Sequence, residues 1–404
     1  MHKLRHAHNY LIVLLLFTIT INTAVSYILT ILIVLLWIGG GAYRQKIETI
    51  LHDKLALTFL VLYLLFAAGM LWTQDLDDGW KVLSKQKLYL FAPIVISFFD
   101  RRFARYAIYA FLAAVFISEI YSLYLYSVSG VELTGSLPSP FMHHMHYSLI
   151  LAFTFGYLIS EVDFAHLKER KNILYLLFAL LTLTVLFINK GRIGQVALLP
   201  VLFLLAIVKF RLSFVKSVSA VIISAGVLFF AAYHLSDQFK SRVDKASYEF
   251  HEVVGTGKRD SIACRFEMWK YAAQIGASSP IGGVGTGDGV YEMNLLLGEK
   301  GFAELHRNCG LGLDYFFNPH NNFVLFFMLF GVMGVVVLAG VLLYQFMLAY
   351  RVGSVGMMLL LVVTLTGMMT ASPLTAHIKY IFFYTMMMTI LWLDAQYHEE
   401  KTSV

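Results

Sequence analysis

Apolar runs long enough to cross a bilayer recur from residue 9 to residue 394, and one long hydrophilic stretch, about residues 236–318, interrupts them. A span needs about 20 apolar residues, and in hydrocarbon the backbone has to satisfy its own hydrogen bonds. Runs of this kind therefore fold as helices. Composition agrees: 59% of the 404 residues are hydrophobic and 14% charged, and a mean hydropathy of +0.71 lies outside the range of a soluble domain. The chain reads as an all-α polytopic membrane protein with about twelve spans, near 9–24, 25–41, 55–73, 86–100, 104–127, 145–161, 172–189, 192–209, 214–233, 320–348, 353–371 and 377–394. Residues 1–233 then hold nine transmembrane helices, 234–319 form a large, partly helical loop, and 320–404 hold the last three helices and a tail. The basic start, Met1-His2-Lys3-Leu4-Arg5, has the flavour of a secretory signal. The second apolar run that follows at once favours an uncleaved first span in a tight hairpin.

Orientation follows from lysine and arginine. With the N-terminus inside, the short cytoplasmic segments carry Lys3, Arg5, Arg44, Lys46, Lys54, Arg101, Arg102, Arg105, Lys168, Arg170, Lys171, Lys209, Arg211, Lys216, Arg351 and Lys401. The short outer segments carry only Lys81, Lys85, Lys87, Lys190, Arg192 and Lys379. This asymmetry puts both termini in the cytoplasm and the long loop outside. It also accounts for the net charge of +6 without a nucleic-acid partner.

The outward cations are the exceptions that invite chemistry. Arg192, in Asn189-Lys190-Gly191-Arg192, stands at the start of a span, where a cation opposes the helix dipole. It either snorkels as an anchor or, with the free N–H groups of the helix start, makes an anion site. Lys81, Lys85 and Lys87 form a solvated or headgroup-binding face. Pro319-His320-Asn321 lies where the hydrophilic stretch gives way to an apolar run. Asn318 suits an N-cap and Pro319 the first helical position, so His320 is expected in the first turn, its ring kept neutral by the dipole and able to accept a proton. A histidine at a helix start is also a common structural feature. Asn321 or Asn322 would fix its tautomer or bind a sugar hydroxyl.

Within the loop, 237–252 and 260–275 read as helices, the second with Arg265 and Trp269 on one face. The stretch 280–289, Pro-Ile-Gly-Gly-Val-Gly-Thr-Gly-Asp-Gly, is a turn with several candidate positive-φ positions. No strand precedes it, so it is no dinucleotide fingerprint. It is either a close backbone approach or a flexible loop. Met142-His143-His144-Met145-His146 offers three histidines with no acidic or cysteine neighbour, and headgroup or glycan contact, or packing, is preferred there to a metal. The two cysteines, Cys264 and Cys309, both fall in the loop, which makes a disulfide an open option. Glu119 is the clearest ionisable residue inside a span, a proton-path candidate or a snorkelling side chain.

Taken together, these residues resemble the O-antigen ligase and polymerase superfamily of bacterial envelope glycosyltransferases. The resemblance covers nearly the whole chain. Its marks are His320-Asn321 followed, after nine intervening residues, by Gly331-Val332-Met333-Gly334, the arginine of Gly191-Arg192-Ile193-Gly194, the loop segment from Arg265 through Trp269 to Ala272, and the glycine turn at 280–285. It implies a GT-C-like membrane fold in the bacterial inner membrane with a periplasmic active site. The implied reaction moves a glycan from undecaprenyl diphosphate to a hydroxyl of lipid A–core, with inversion and without a metal or other cofactor. In that reading His320 is the general base and Arg192 and Arg265 clamp the diphosphate. Asn321, Lys85, Lys87, Trp269 and His146 would contact substrate. An O-antigen polymerase or protein O-oligosaccharyltransferase shares the same machinery. A transporter or flippase is the rival from another class, and the sequence shows neither the internal repeats nor the broken helices typical of one.

Overall fold

The computed structural model describes residues 7–129, 140–236, 239–241, 243–244, 261–309 and 318–402. Among them all regular structure is helical. The amino-terminal helices are α1 (Ala7–Thr18), α2 (Thr23–Gly39), α3 (Tyr43–His52), α4 (Lys54–Gly69), α5 (Leu76–Gln86) and α6 (Phe91–Ile96). Then come α7 (Ala104–Ser129), α8 (His144–Glu161), α9 (Arg170–Ile188), α10 (Arg192–Val208) and α11 (Phe214–Leu235). The hydrophilic stretch contributes α12 (Ser261–Ser278) and α13 (Gly289–Cys309), and α14 (Asn322–Arg351), α15 (Val355–Thr370) and α16 (Ile378–Thr402) complete the chain. Of the two helices expected in the loop, the second is α12; most of 237–252 lies outside the described residues.

Five helical segments are long and apolar enough to span a bilayer: Arg101–Val128, Arg170–Ile188, Phe214–Leu235, Asn322–Arg351 and Ile378–Lys401. The pair α2 and α3, bent by 115°, makes a sixth if it counts as one broken span. The bend falls at Gly41 and Ala42, both at positive φ. Four apolar helices are shorter: α1, α4, α10 and α15. The chain is thus a multi-pass helical membrane protein, with five or six full-length spans among the described residues rather than an even series of twelve. The expected fourth span, 86–100, is a 3-10 turn (Lys87–Leu90) followed by the six-residue α6.

Burial orders the helices radially. α16 is covered over most of its apolar length, and α8 is buried from His146 to Leu158. α11 lies at the periphery, with Ile222, Ile223, Val227 and Phe230 each more than 60% exposed. An apolar face of this extent is stable against lipid and not against water. Inside, a polar network ties α4, α14 and α16: Gln345 donates to Thr58 at 2.8 Å and accepts from Tyr384. In hydrocarbon such groups are costly unless paired.

The bundle has two chemically distinct ends. At one, Arg105 meets Glu161 and Tyr157 at 2.9 Å and Asp394 at 3.5 Å, Lys209 donates to the Ser160 carbonyl at 2.8 Å, and Arg351 lines the same recess. These are the basic residues expected on the inner side. The other end gathers the starts of α8, α10, α14 and α16.

α14 is not continuous. Gly331 sits at φ +62° and ψ −156°, so the helix breaks about nine residues, or ~14 Å, from its start. Four backbone groups lose their helical partners at such a break. The turn at 280–285 replaces them: Val284 N–H donates to Met328 O (3.1 Å), Gly285 N–H to Leu329 O (2.9 Å), and Val332 and Met333 N–H donate to Pro280 O (2.8 Å) and Ile281 O (3.3 Å). Gly283 (φ +66°) and Gly285 (φ +104°) give the turn its shape. The reading of an unbroken apolar span was therefore wrong here, and the glycine turn is a close approach to another backbone. Just beyond it, Thr286 Oγ1 donates to Phe66 O at 2.6 Å, and the buried Asp288 carboxylate accepts from the N–H groups of Gln74 and Asp75 at 2.8–2.9 Å. The polar segment is thus docked into the bundle through α4 and α14.

Candidate active site

His320 is the centre of the second end. It does not lie in the first turn of α14, as the capping pattern suggested. The cap is Asn321, whose Oδ1 accepts from the N–H groups of Phe323 (2.9 Å) and Val324 (3.2 Å). His320 stands just before it in a left-handed turn, φ +52°. A β-carbon disfavours that conformation by about 1–2 kcal/mol, so surrounding contacts have to hold it. They are present. Asn318 Oδ1 accepts from the His320 N–H at 2.9 Å and from the Ser372 hydroxyl at 2.8 Å. Trp269 of α12 donates its indole N–H to Pro319 O at 2.6 Å. Asn322 donates to Thr375 at 3.2 Å and accepts from the Leu374 N–H at 3.4 Å.

The His320 ring is half-buried, and its Nδ1 is buried without a hydrogen-bond partner among the described residues. Burial first, then the Arg265 guanidinium and then His143, push its pKa down to about 4. Neutrality of the ring was expected from the helix dipole; desolvation and a neighbouring cation supply it instead. Arg265, half-buried on α12, is thus within electrostatic reach of the ring. Cys264 beside it is buried and disulfide-bonded. The side chain of Cys309, the only other cysteine in the chain, lies outside the described residues.

Arg192 is the first residue of α10 and is exposed. α10 approaches α8 without side chains between them. A β-carbon on Gly191 would strike His144 O and Ser148, and one on Gly194 the Ser148 backbone. Gly194 N–H donates to Ser148 Oγ at 3.1 Å. Arg192 therefore shares the His320 end of the bundle, one helix start away and beyond α8.

The remaining expected contacts separate. Lys85, half-buried, lines a narrow and mostly apolar cleft with Phe66, Val82, Leu325, Met328 and Leu329, reaching Asn318 and Ala376. Lys87 is exposed, within 3.4 Å of Ser84. The bonds that Asn321 makes go to backbone: besides capping α14 it donates to Met369 O at 3.1 Å. Trp269 positions the Pro319 turn. His146 is 3% exposed, so it is packed inside and makes no contact at the surface. Among the described residues no group of histidine, cysteine and carboxylate side chains is arranged to hold a metal ion. Glu119 is fully buried within α7.

His377 went unremarked in the sequence. It precedes α16 as His320 precedes α14, and that similar placement was the available signal. Its ring lies 3.9 Å from that of His146 and 6.4 Å from that of His143. Burial, then His143, His320 and Lys85, lower its pKa to about 4.

No curated protein matches the sequence. Residues 177–339 match the family model described as O-antigen ligase. That region runs from α9 to the first half of α14 and includes Arg192, Arg265, His320 and the Gly331 break. The match covers 163 of the 404 residues, and over them the chain is similar to the O-antigen ligase family.

Proposed function

We propose that the protein is a metal-independent, inverting glycosyltransferase that moves an O-antigen glycan from undecaprenyl diphosphate to a lipid A–core hydroxyl at the periplasmic face of the inner membrane. The observation that carries the reading is His320: a neutral imidazole beside Arg265, held in a left-handed turn at the end of the bundle away from the basic inner cluster. The acceptor oxygen attacks the anomeric carbon of the donor, its proton passes to His320, and the bond to the diphosphate breaks with its electron pair on the leaving oxygen. That leaving group is an anion, which Arg265 and Arg192 stabilise as charge develops. Lys85 supplements them at the mouth of the apolar cleft, where the first units of the polyprenyl chain lie. A disulfide between Cys264 and Cys309 would tie the Arg265 helix to the segment leading into His320.

Complementation of a strain lacking its ligase tests the assignment. Wild type should restore ladders attached to lipid A–core and His320→Ala should not. Longer glycans without core attachment would make the protein a polymerase, and full activity of His320→Ala would remove the base.

A further inference from the structure

Both flanks of α3 are bonded to the same end of the bundle. Before it, Trp37 of α2 donates its indole N–H to Ser97 Oγ at 2.8 Å. Ser97 is followed closely by Arg101, which pairs with Glu400 of α16. After it, Asp53 caps α4 through the Ala56 N–H at 2.9 Å and accepts from the Trp392 indole at 2.9 Å. Trp392 stands two residues before Asp394, the partner of Arg105. A segment that starts and finishes at the basic end does not cross the bilayer. With ten residues α3 is also only ~15 Å long, about half the hydrocarbon thickness. The pair α2 and α3 is therefore not one broken span.

The turn of 115° between the two helices is held by side chains as well as by Gly41 and Ala42. The Tyr43 hydroxyl donates to Ile38 O, and Lys46 Nζ donates to Trp37 O. The same ammonium stands 5.1 Å from the centroid of the Trp37 ring and 5.6 Å from that of Tyr43. α3 is thus fixed across the direction of α2. Its residues then sort by face. Lys46 is buried and Ile50 packs against the core. Tyr43, Ile47 and Leu51, spaced i, i+4, i+8, form an apolar stripe that is 46%, 51% and 58% exposed. Arg44, Glu48 and His52, the next stripe round, are exposed and polar. Three large apolar side chains in one row are unfavourable against water and favourable against lipid.

We propose that α3 is an interfacial helix that docks on the phospholipid surface at the basic end, with Tyr43, Ile47 and Leu51 sunk among the lipid chains and Arg44, Glu48 and His52 turned to water. A lipid surface fits better than a protein partner. α3 joins the ends of two bundle helices, which is where the headgroup layer lies. Its bend gathers a tryptophan, a tyrosine and a lysine, the side chains that settle at a membrane boundary. Arg44 and Lys54 are exposed beside the stripe, where lipid phosphates would neutralise them. The placement reaches the other side of the molecule. α4 starts directly after α3 and ends at Gly69, whose carbonyl accepts from the Thr286 N–H of the docked polar segment at 3.4 Å. The depth of α3 thereby sets the height of α4 and of the segment bonded to its far end. The proposal is independent of the glycosyltransferase reading.

Spin labels on the full chain in nanodiscs of phosphatidylethanolamine and phosphatidylglycerol test it. The label is attached in turn to Ile47→Cys, Leu51→Cys, Glu48→Cys and His52→Cys, with Ile31→Cys on the exposed face of α2 as the hydrocarbon reference. The unsubstituted chain, carried through the same labelling, gives the background from its own cysteines. Collisions with oxygen, which concentrates in lipid, are compared with collisions with a water-soluble nickel chelate. Oxygen should dominate at residues 47 and 51, as at 31, and nickel at 48 and 52. Nickel dominating at 47 and 51 would overturn the proposal by placing the stripe in water. Oxygen dominating at all four would overturn it by placing α3 inside the hydrocarbon as a re-entrant segment. Neither reagent reaching 47 and 51 would overturn it by showing that a second chain covers the stripe. If Ile47→Cys does not fold, as judged by size exclusion, Leu51→Cys and Glu48→Cys decide between the same outcomes.

Discussion

Gly331 is the position at which one added methyl group should do the most damage. A β-carbon there would lie 2.5 Å from the carbon and oxygen of Ile281 and 2.6 Å from Pro280 O, all backbone atoms that cannot rotate aside. The residue is at φ +62°, which costs a side-chain-bearing residue about 1–2 kcal/mol before any clash. Overpacking adds about 1–3 kcal/mol. Gly331→Ala should therefore destabilise by about 2–5 kcal/mol, concentrated at the junction between the turn and the broken helix. Gly340→Ala, nine residues further along the same helix, is the control: a β-carbon there has nothing within 4 Å, and alanine in a helix interior is favoured over glycine by about 0.5–1 kcal/mol. Thermal unfolding of both variants in one detergent, with ladder formation in cells, gives the comparison. A Gly331→Ala protein as stable as Gly340→Ala would refute the claim that the turn at 280–285 is locked into the break.

Arg192→Lys and Arg265→Lys keep a positive charge and lose the planar fork, so each should cut transfer at saturating acceptor if both hold the diphosphate; undiminished rates would remove that role. Acid should weaken the fold through His320 and His377, whose folded pKa values near 4 lie below the ordinary 6.5. Their contribution is complete above about pH 6.5 and is lost as the pH falls toward 4, because the unfolded chain binds the protons first. A thermal midpoint flat across that window, or as steep in His377→Gln as in wild type, would contradict the assignment. Asp288→Ala strips the acceptor from the Gln74 and Asp75 N–H groups and should cost about 2–3 kcal/mol, against ±0.5 for the exposed Asp77→Ala. Equal stability of the two variants would mean that Asp288 does not anchor the polar segment.

What the sequence could and could not reveal divides along the range of the forces involved. Hydropathy is local, so the membrane class and α12, α14 and α16 were legible, and short motifs marked His320, Arg192 and Arg265. The cap of α14 was misplaced because Asn318 and Asn321 are equally good capping residues. The choice between them is made by Ser372 and Trp269, about 50 residues away in either direction. His377 escaped notice because its significance comes from His146, on another helix. The Gly331 break was hidden for a further reason: the run from Phe323 to Leu343 is apolar throughout, and a glycine inside such a run is ordinary. What makes it a break is the turn at 280–285, which supplies the hydrogen bonds that the helix gives up. The consequence is functional as well as structural. α12 ends at Ser278, the turn begins at once, and the turn is bonded to residues 328–333 of the helix that follows His320. Arg265 and His320 are thereby fixed to one another through backbone at one end and through Trp269 and Pro319 at the other. The two side chains proposed to act on one substrate are thereby carried on elements bonded to each other although 55 residues divide them in sequence.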